Sequence, residues 1–435
     1  MSAKTAMILF MLIRLAYQGW YTYLEVQQRK KPLPPEISNI YDENRYQLFL
    51  SRETDLNKLY YTNNIATILY EAIILFSPLF EKIDRAFSGK PYAIFLVTYL
   101  VYEVIAIIDS AIYQYVYTYK IDEKYGLNKK TRKEFVTDFF IDEATDIITN
   151  IVIFLILIYA GEHMAAWTRD FSVSWKTSIT ITSAIFGVLI LGTLFTSLIS
   201  IAALKKKYTF MPMEQCEVRD KIEKLLVGAK KVKQINVYDE SKKSVDKNAF
   251  LFRFLWHREF GIADNFMNEN SERELLAVLS HEIGHLKHRQ NVWNYIRYVF
   301  IAGLLITVAY LIKDPRFFLN FNRWTRESFH IAGNNYYILL GLYGMLLEPI
   351  SLVSKLYSHF ISRREEKEAD LEAVKNGYGE DLIHTFKKVS SEELIDIYPH
   401  PVIEFIEADH PGMYSRISYI RKAADSMKLN TAGCE

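Results

Sequence analysis

Seven long apolar stretches dominate this sequence and constrain its fold more than any other feature. A helix that crosses a bilayer needs about 20 largely apolar residues. The candidate spans are residues 5–25, 60–81, 92–117, 146–166, 178–204, 293–312 and 337–360. Half of the 435 residues are apolar and the mean hydropathy is close to zero. The pattern predicts a mostly α-helical protein that crosses a membrane several times.

The distribution of Lys and Arg predicts the orientation of these spans, because cytosolic loops carry an excess of both residues. Basic clusters follow spans one, three and five, at residues 29–31, 120–133 and 205–207. The loop between spans four and five, on the opposite side, carries only Arg169 and Lys176. We therefore expect the N-terminus outside or in a lumen, and residues 205–292 and 361–435 in the cytosol.

Four acidic residues fall inside the candidate spans, at Glu71, Glu103, Asp109 and Glu348. Charges at membrane depth are costly unless they face a bundle interior or a water-filled cavity. Either some spans are shorter than their apolar stretches suggest, or the helices enclose a hydrated chamber. Asp109 lies eight residues from the nearer end of its span and favours the chamber.

Charge and cysteine content exclude other classes of protein. The formal net charge is +1, which argues against a nucleic-acid-binding protein because such proteins need a basic surface. Two cysteines, Cys216 and Cys434, provide neither a disulfide framework nor a cysteine-rich zinc site.

The polar segment 205–292 reads as a small α/β unit. Amphipathic spacing predicts a helix, and short apolar runs between polar turns predict three strands. The helix covers residues 214–226 and the strands cover residues 234–238, 248–254 and 260–263. A second helix is expected to begin near Ser271, whose hydroxyl can cap it, with Glu272 and Glu274 in its first turn.

That second helix contains the pattern His-Glu-x-x-His at residues 281–285. Residues four apart share one helical face, so His281 and His285 can reach one zinc ion at about 2.0–2.1 Å. Glu282 is placed to accept a proton from a water molecule that the metal activates. Gly284 allows another backbone element to approach closely. The alternative is a pair of solvated surface histidines, which the capped and apolar-packed helix disfavours.

A catalytic zinc site needs a third protein ligand and one open position. The best candidates lie after the last span, at the predicted start of another helix, where Glu365, Glu366 and Glu368 compete. Glu366 has Asp370 one turn further along the same face, and that aspartate could orient a ligand histidine. The residues alone do not choose among the three glutamates.

Six blocks, taken in order, resemble the type I CAAX prenyl endopeptidase family of seven-span zinc proteases. They are YDENRYQ (41–47), IDEKYGLNKKT (121–131), NAF (248–250), LAVLSHEIGH (276–285), SRREEKEAD (362–370) and DHPGMYSRI (409–417). The resemblance covers nearly the whole chain, although the family usually has Tyr where this chain has Phe250. It implies seven membrane helices around a chamber, with a cytosolic zincin-like portion.

The resemblance also implies roles for individual residues. The family's third zinc ligand falls on Glu366, four residues before Asp370. His410 and Arg416 match positions that line the family's active site, where they position the substrate or stabilise the oxyanion.

Asn248, Ala249 and Phe250 match an edge strand that receives the substrate backbone by strand addition. The implied division of the chain is 1–204 for the first five spans, 205–292 for the cytosolic unit, 293–360 for the last two spans and 361–435 for the third ligand and C-terminal segment.

Family membership implies one zinc ion per chain and hydrolysis of the peptide bond after a prenylated cysteine, with release of a three-residue tail. Some members also make a second, N-terminal cut in a prenylated precursor. The substrates are prenylated CAAX proteins or peptides, and the implied location is the membrane of the endoplasmic reticulum or the nuclear envelope, with the active site facing the cytosol.

Three other interpretations compete. A membrane quality-control protease of the HtpX type shares the chemistry, but the block at 121–131 argues against it. A site-2-type intramembrane protease would carry its motif in a continuous apolar span, whereas LysHisArgGln follows at 287–290. A transporter or scaffold with an inactive zinc site would have to lose activity for a reason other than its ligands, which are present.

Overall fold

The computed structural model describes residues 1–168, 187, 194–226, 232, 234–254, 257–287 and 315–432. Helices dominate the described residues. Those before the sheet are α1 (Ala3–Gln28), α2 (Glu43–Phe76), α3 (Leu79–Ala86), α4 (Pro91–Val116), α5 (Arg132–Thr168) and α6 (194–207). Those within and after the sheet are α7 (Glu217–Leu225), α8 (Asp264–Glu269), α9 (Glu272–Lys287), α10 (Pro315–Phe329), α11 (Tyr336–Lys375), α12 (Gly379–Glu392), α13 (Pro401–Glu407) and α14 (Met413–Ala432).

The second predicted span is interrupted in the structure. α2 ends at Phe76, and α3 continues after Ser77 and Pro78 with a bend of 48°. Pro78 has no backbone N–H to continue the hydrogen-bond ladder, and the Ser77 hydroxyl donates to the carbonyl of Ile74 at 2.8 Å. Span 60–81 therefore crosses a helix end that hydropathy alone does not detect.

Among the described residues, two helical segments are long and apolar enough to cross a membrane. One is Pro91–Asp122, which consists of α4 and the π-helical turn Tyr117–Asp122 that continues it, and the other is α11, Tyr336–Lys375. The bent pair α2–α3 makes a third if it counts as one span. Span 293–312 lies outside the described residues, and so do residues 178–186 and 188–193 of span 178–204. The number seven therefore stays a prediction, while apolar side chains such as Ile73 and Ile112 project from the helices as a lipid-facing surface requires.

The small sheet has four strands, β1 (Phe210–Pro212), β2 (Gln234–Tyr238), β3 (Ala249–Phe254) and β4 (His257–Ala263). Its order is β1-β2-β4-β3, with β2 and β4 parallel and the outer pairs antiparallel. This confirms the strand at 234–238, and β4 begins three residues earlier than the apolar run at 260–263 suggests. β3 is an edge strand, as the resemblance implies for residues 248–250.

α9 packs against one face of this sheet through Leu276, Leu279 and Ile283, which join Phe260 and Ile262 in one core. Its start confirms the cap expected at Ser271: the Ser271 hydroxyl accepts from the Glu274 amide at 3.3 Å, and the Glu274 carboxylate accepts from the Ser271 amide at 2.7 Å. This reciprocal capping box fixes where the helix begins.

The predicted span 337–360 and the predicted helix at 362–370 are one continuous helix, α11, of 40 residues. No Gly or Pro occurs between residues 350 and 375, so nothing in that stretch ends a helix. α11 ends at Lys375, and Gly377, two residues further on, adopts a φ of 83°. Its amide donates to the carbonyl of Val374 at 2.9 Å, closing the last turn.

α9 and α11 cross where each helix has a small residue, Gly284 in α9 and Ala369 in α11. A Cβ placed on Gly284 would lie 2.7 Å from the Cα of Ala369. The close approach expected at Gly284 is confirmed, and it brings the face of α9 that carries the two histidines against the acidic segment of α11.

Candidate metal centre

The two histidines of α9 lie on one face of the helix, one turn apart. Their ring centroids are 4.8 Å apart and the ring planes are nearly perpendicular, at 86°. His281 is buried and His285 is half-buried. Glu282, between them, is also half-buried.

Glu366 of α11 faces both rings. Its Oε1 lies 3.2 Å from Nε2 of His285, and its Oε2 lies 3.5 Å from Nε2 of His281. Ligand atoms at 2.0–2.1 Å from a tetrahedral zinc are separated by about 3.3 Å. The spacing between the Glu366 carboxylate and both imidazoles therefore matches one shared metal ion.

Asp370 lies behind His281, at the next turn of α11. Its Oδ1 is 2.8 Å from Nδ1 of His281. Because a carboxylate only accepts hydrogen bonds, Nδ1 carries the proton and Nε2 presents its lone pair towards Glu366. This is the arrangement in which a carboxylate orients a metal-binding histidine.

Asp370 is itself held by α14. Arg416 donates from Nε to Oδ2 at 2.8 Å and from Nη2 to Oδ1 at 2.6 Å, and Tyr419 donates its hydroxyl to Oδ2. The Arg416 guanidinium also lies over the ring of Phe386, 4.0 Å from the centroid. Sequence reasoning missed Tyr419, although its position one turn after Arg416 places both on one face of α14.

The charges around these carboxylates keep them ionised. Both lie beyond the predicted span 337–360. Burial alone would raise the pKa of Glu366, but the hydrogen bond from His285 and the positive charge of Arg416 lower that pKa to about 2. Burial likewise opposes ionisation of Asp370, and Arg416 with His281 holds the pKa of Asp370 far below its usual range.

His410 approaches Glu366 from the loop between α13 and α14. Its Nε2 lies 3.5 Å from Oε1 of Glu366, and its Nδ1 lies 2.8 Å from Oδ1 of Asp409. The side chain is 56% exposed, so one face of the imidazole remains open to solvent. The structure therefore brings His281, His285, Glu366 and His410 to one place.

Asn248, Ala249 and Phe250 lie on or beside β3, not among the residues that contact Glu366. Asn248 is exposed just before the strand, and its carbonyl accepts from the Ala263 amide at 2.9 Å. Ala249 is buried in the core that β3 shares with α9. The ring of Phe250 lies against the backbone of Gly261, where a Cβ would be 2.5 Å from it.

The residues fit a divalent metal on two grounds. Oε2 of Glu366 is buried and accepts no hydrogen bond, with Arg416 Nη2 3.5 Å away as its ion-pair partner; a buried carboxylate oxygen without a hydrogen bond is costly, and a bound cation would offset that cost. Two imidazoles and one carboxylate also form a donor set typical of catalytic zinc. Among the described residues, His281, His285 and Glu366 are the group whose ligand atoms all lie within 4.8 Å of one another.

Two family models match consecutive parts of the chain. The model described as the CAAX prenyl protease N-terminal region with five membrane helices matches residues 22–200. The model described as peptidase family M48 matches residues 212–424, which include the whole candidate centre. The chain belongs to the type I CAAX prenyl endopeptidase family. Membership makes it an integral membrane metalloprotease.

Relatives with this family's name align along almost the whole chain. A probable CAAX prenyl protease 1 from Schizosaccharomyces pombe is 26% identical over 92% of this chain and 85% of its own length. A CAAX prenyl protease 1 homologue from Arabidopsis thaliana is 24% identical over 94% of this chain and 96% of its own. The crystal structure of S. mikatae Ste24p has the same fold, with a TM-score of 0.77, 20% identity and coverage of 97% of this chain and 99% of that one.

Proposed function

We propose that the protein is a zinc endopeptidase that hydrolyses the peptide bond after a prenylated cysteine in a C-terminal CAAX sequence and releases the last three residues. The single observation that carries this proposal is the spacing of His281, His285 and Glu366 around a point that one zinc ion can occupy. The relatives named CAAX prenyl protease support the substrate class.

His281, His285 and Glu366 would hold the metal, and Asp370 fixes the tautomer of His281. Zinc in such a site lowers the pKa of water towards neutrality and polarises a peptide carbonyl. Glu282 follows the first ligand directly, so its carboxylate can accept a proton from the attacking water and deliver it to the leaving amine. The protein's part in the chemistry is to orient these groups and to hold Glu366 ionised.

His410 and Arg416 receive different roles, because their surroundings differ. His410 is exposed beside Glu366, and in its doubly protonated form, with Nδ1 held by Asp409, it can donate from Nε2 to the carbonyl oxygen as negative charge develops on it. Arg416 is buried and directs two nitrogens to Asp370. It therefore positions Asp370, and through it His281, instead of touching the substrate.

The edge strand β3 is the proposed binding place for the substrate backbone. An edge strand has backbone groups that an extended peptide can pair with; Ala249 and Phe250 begin this strand beside α9, and Asn248 directly precedes it. The pairing would lay a peptide along the sheet and next to the helix that carries His281 and His285.

The membrane-related proposals follow the sequence. Seven spans would enclose a chamber, the unit 205–292 and the segment 361–435 would face the cytosol, and the enzyme would reside in the endoplasmic reticulum or nuclear envelope. The first five spans would lie within residues 1–204 and the last two within residues 293–360. A second, N-terminal cut in a prenylated precursor belongs to the same proposal.

The test compares one farnesylated CAAX peptide with its unlipidated twin, using the purified full-length protein in detergent. We expect rapid cleavage of the lipidated peptide only, abolished by a chelator and restored by zinc. Glu282→Gln should retain zinc and lower turnover by about 10²–10⁴-fold.

Equal cleavage of both peptides would favour a quality-control protease, and no cleavage of either would favour a scaffold. Full turnover by Glu282→Gln would show that another group is the base.

A further inference from the structure

The loop at residues 408–412, which carries His410, is held at both of its ends. At its start, Arg363 donates from Nη1 to the carbonyls of Glu404 and Phe405, at 3.3 Å and 3.2 Å, and to that of Ala408. At its end, the carboxylate of Glu404 accepts from the Gly412 amide at 2.6 Å.

Arg363 is well placed to fix the start of this loop. An α-helix leaves its last carbonyls without intrahelical partners, and a guanidinium can satisfy several of them at once. Here one guanidinium reaches the end of α13 and the first residue of the loop together. Its planar head also lies over the ring of Phe405, 5.6 Å from the centroid.

The other end depends on the absence of a side chain at residue 412. A Cβ on Gly412 would lie 2.8 Å from Oε2 and 3.0 Å from Cδ of Glu404. Only glycine therefore lets the carboxylate approach its amide this closely. The Glu404–Gly412 contact is thus an observation independent of the Arg363 contacts, and both restrain the same five residues.

The helix that supplies Glu366 also supplies the side chains that hold α13. Lys355, His359 and Arg363 are spaced four residues apart on α11, so they share one face of the helix. Lys355 pairs with Glu407, and His359 Nδ1 lies 3.0 Å from the carbonyl of Ile406. α11 therefore carries the proposed ligand Glu366 and also, through these side chains, holds the loop that contains His410.

We propose that Arg363 and Glu404 are positioning residues that set the His410 imidazole beside the metal centre. In the described part of the chain, no hydrogen bond or ion pair joins either side chain to His281, His285 or Glu366, and both residues act by fixing the ends of the loop that carries His410. This inference rests on the role proposed above for His410.

The first experiment measures the loop itself and does not depend on the substrate. Hydrogen–deuterium exchange of the full-length protein should show faster exchange in residues 408–412 for Arg363→Ala and Glu404→Ala than for the unmodified chain. Glu404→Gln keeps an acceptor for the Gly412 amide and should restore protection.

Arg364→Ala is the matched control, because Arg364 is the neighbouring residue on α11 and pairs with Glu368. Unchanged exchange in residues 408–412 of both alanine variants, or equal acceleration in Arg364→Ala, would overturn the proposal.

The second experiment is a double-mutant cycle on cleavage of the farnesylated peptide. We expect Arg363→Ala to lower kcat about tenfold at unchanged zinc content, and Arg364→Ala to leave it unchanged. Combined with His410→Ala, Arg363→Ala should cost nothing further, since both changes remove the same interaction.

Multiplicative losses, or loss of zinc in Arg363→Ala, would overturn the positioning role. Failure of the proposed function is distinguishable, because it would leave the unmodified enzyme inactive on the peptide while the exchange results still hold.

Discussion

The two halves of α11 present opposite surfaces. Between residues 336 and 360 most of the exposed side chains are apolar, with Leu352 46% and Phe360 54% exposed, and Glu348 and Ser351 are the polar exceptions. Between residues 361 and 375 the buried side chains include charged ones, with Glu366 7% and Asp370 0% exposed. A soluble protein would reverse this pattern, whereas lipid on one half and protein on the other explain both.

This contrast shows how one helix serves two environments. Apolar side chains in the first half need no protein partner, because lipid tails are as apolar as they are. Charged side chains in the second half are buried only because each has a partner, as Asp370 has in Arg416, His281 and Tyr419. The helix thereby connects its apolar first half rigidly to the carboxylate that we propose as a metal ligand.

The largest expected effect comes from the second half. Glu366→Ala removes a proposed ligand and should abolish zinc retention, with cleavage reduced by more than about 100-fold. Zinc per chain, measured by mass spectrometry after gel filtration, checks this. Glu365→Ala, one residue away, should keep its zinc, and equal zinc content in the two variants would remove Glu366 as the ligand.

A matched pair of core truncations compares the two halves directly. Ile361→Ala, at a residue that is 1% exposed, should lower the free energy of unfolding by about 2–5 kcal/mol. Leu352→Ala should change the free energy of unfolding by about 0.5 kcal/mol or less, because the Leu352 side chain faces the apolar surroundings and loses few protein contacts when it is shortened. Denaturation of both variants in the same detergent gives the difference. Equal losses would mean that the first half is packed like the second.

Features that depend on residues close together in the sequence were predictable, and features that depend on contacts between distant segments were not. The His281–His285 pair and the cap at Ser271 depend on residues within one or two turns, and spacing alone located them. The choice among Glu365, Glu366 and Glu368 depends on how α9 and α11 cross, which no local pattern encodes. The same holds for Tyr419 and for the parallel pairing of β2 with β4, because both arise from contacts between distant segments.

The next expected effect concerns the carboxylate behind His281. Asp370→Asn keeps the shape of the side chain but removes the charge that Arg416 and His281 face, so the tautomer of His281 is no longer imposed. We expect metal affinity or kcat to fall by about 10–100-fold, measured by competition with a zinc chelator and by peptide cleavage. Tyr419→Phe removes one of the donors to Asp370 and should have a smaller effect in the same direction. An Asp370→Asn enzyme with unaltered affinity and rate would show that His281 is oriented by other contacts.

The smallest expected effect comes from adding one methyl group, either against the second half of α11 at Gly284 or within its first half at Gly341. Gly284→Ala would place its Cβ 2.7 Å from the backbone of Ala369. Backbone cannot rotate away as a side chain can, so α9 and α11 would have to separate, at a cost of about 1–3 kcal/mol in the free energy of unfolding. Gly341→Ala, in the first half of α11, would meet nothing within 4 Å and should be neutral or stabilising by up to about 1 kcal/mol, since alanine favours the helix.

Because His281 and His285 flank Gly284 while Glu366 and Asp370 flank Ala369, separation of the two helices should also weaken zinc binding in Gly284→Ala but not in Gly341→Ala. A Gly284→Ala protein with unchanged stability and zinc affinity would mean that the helices tolerate a wider crossing and that the metal centre does not depend on this contact.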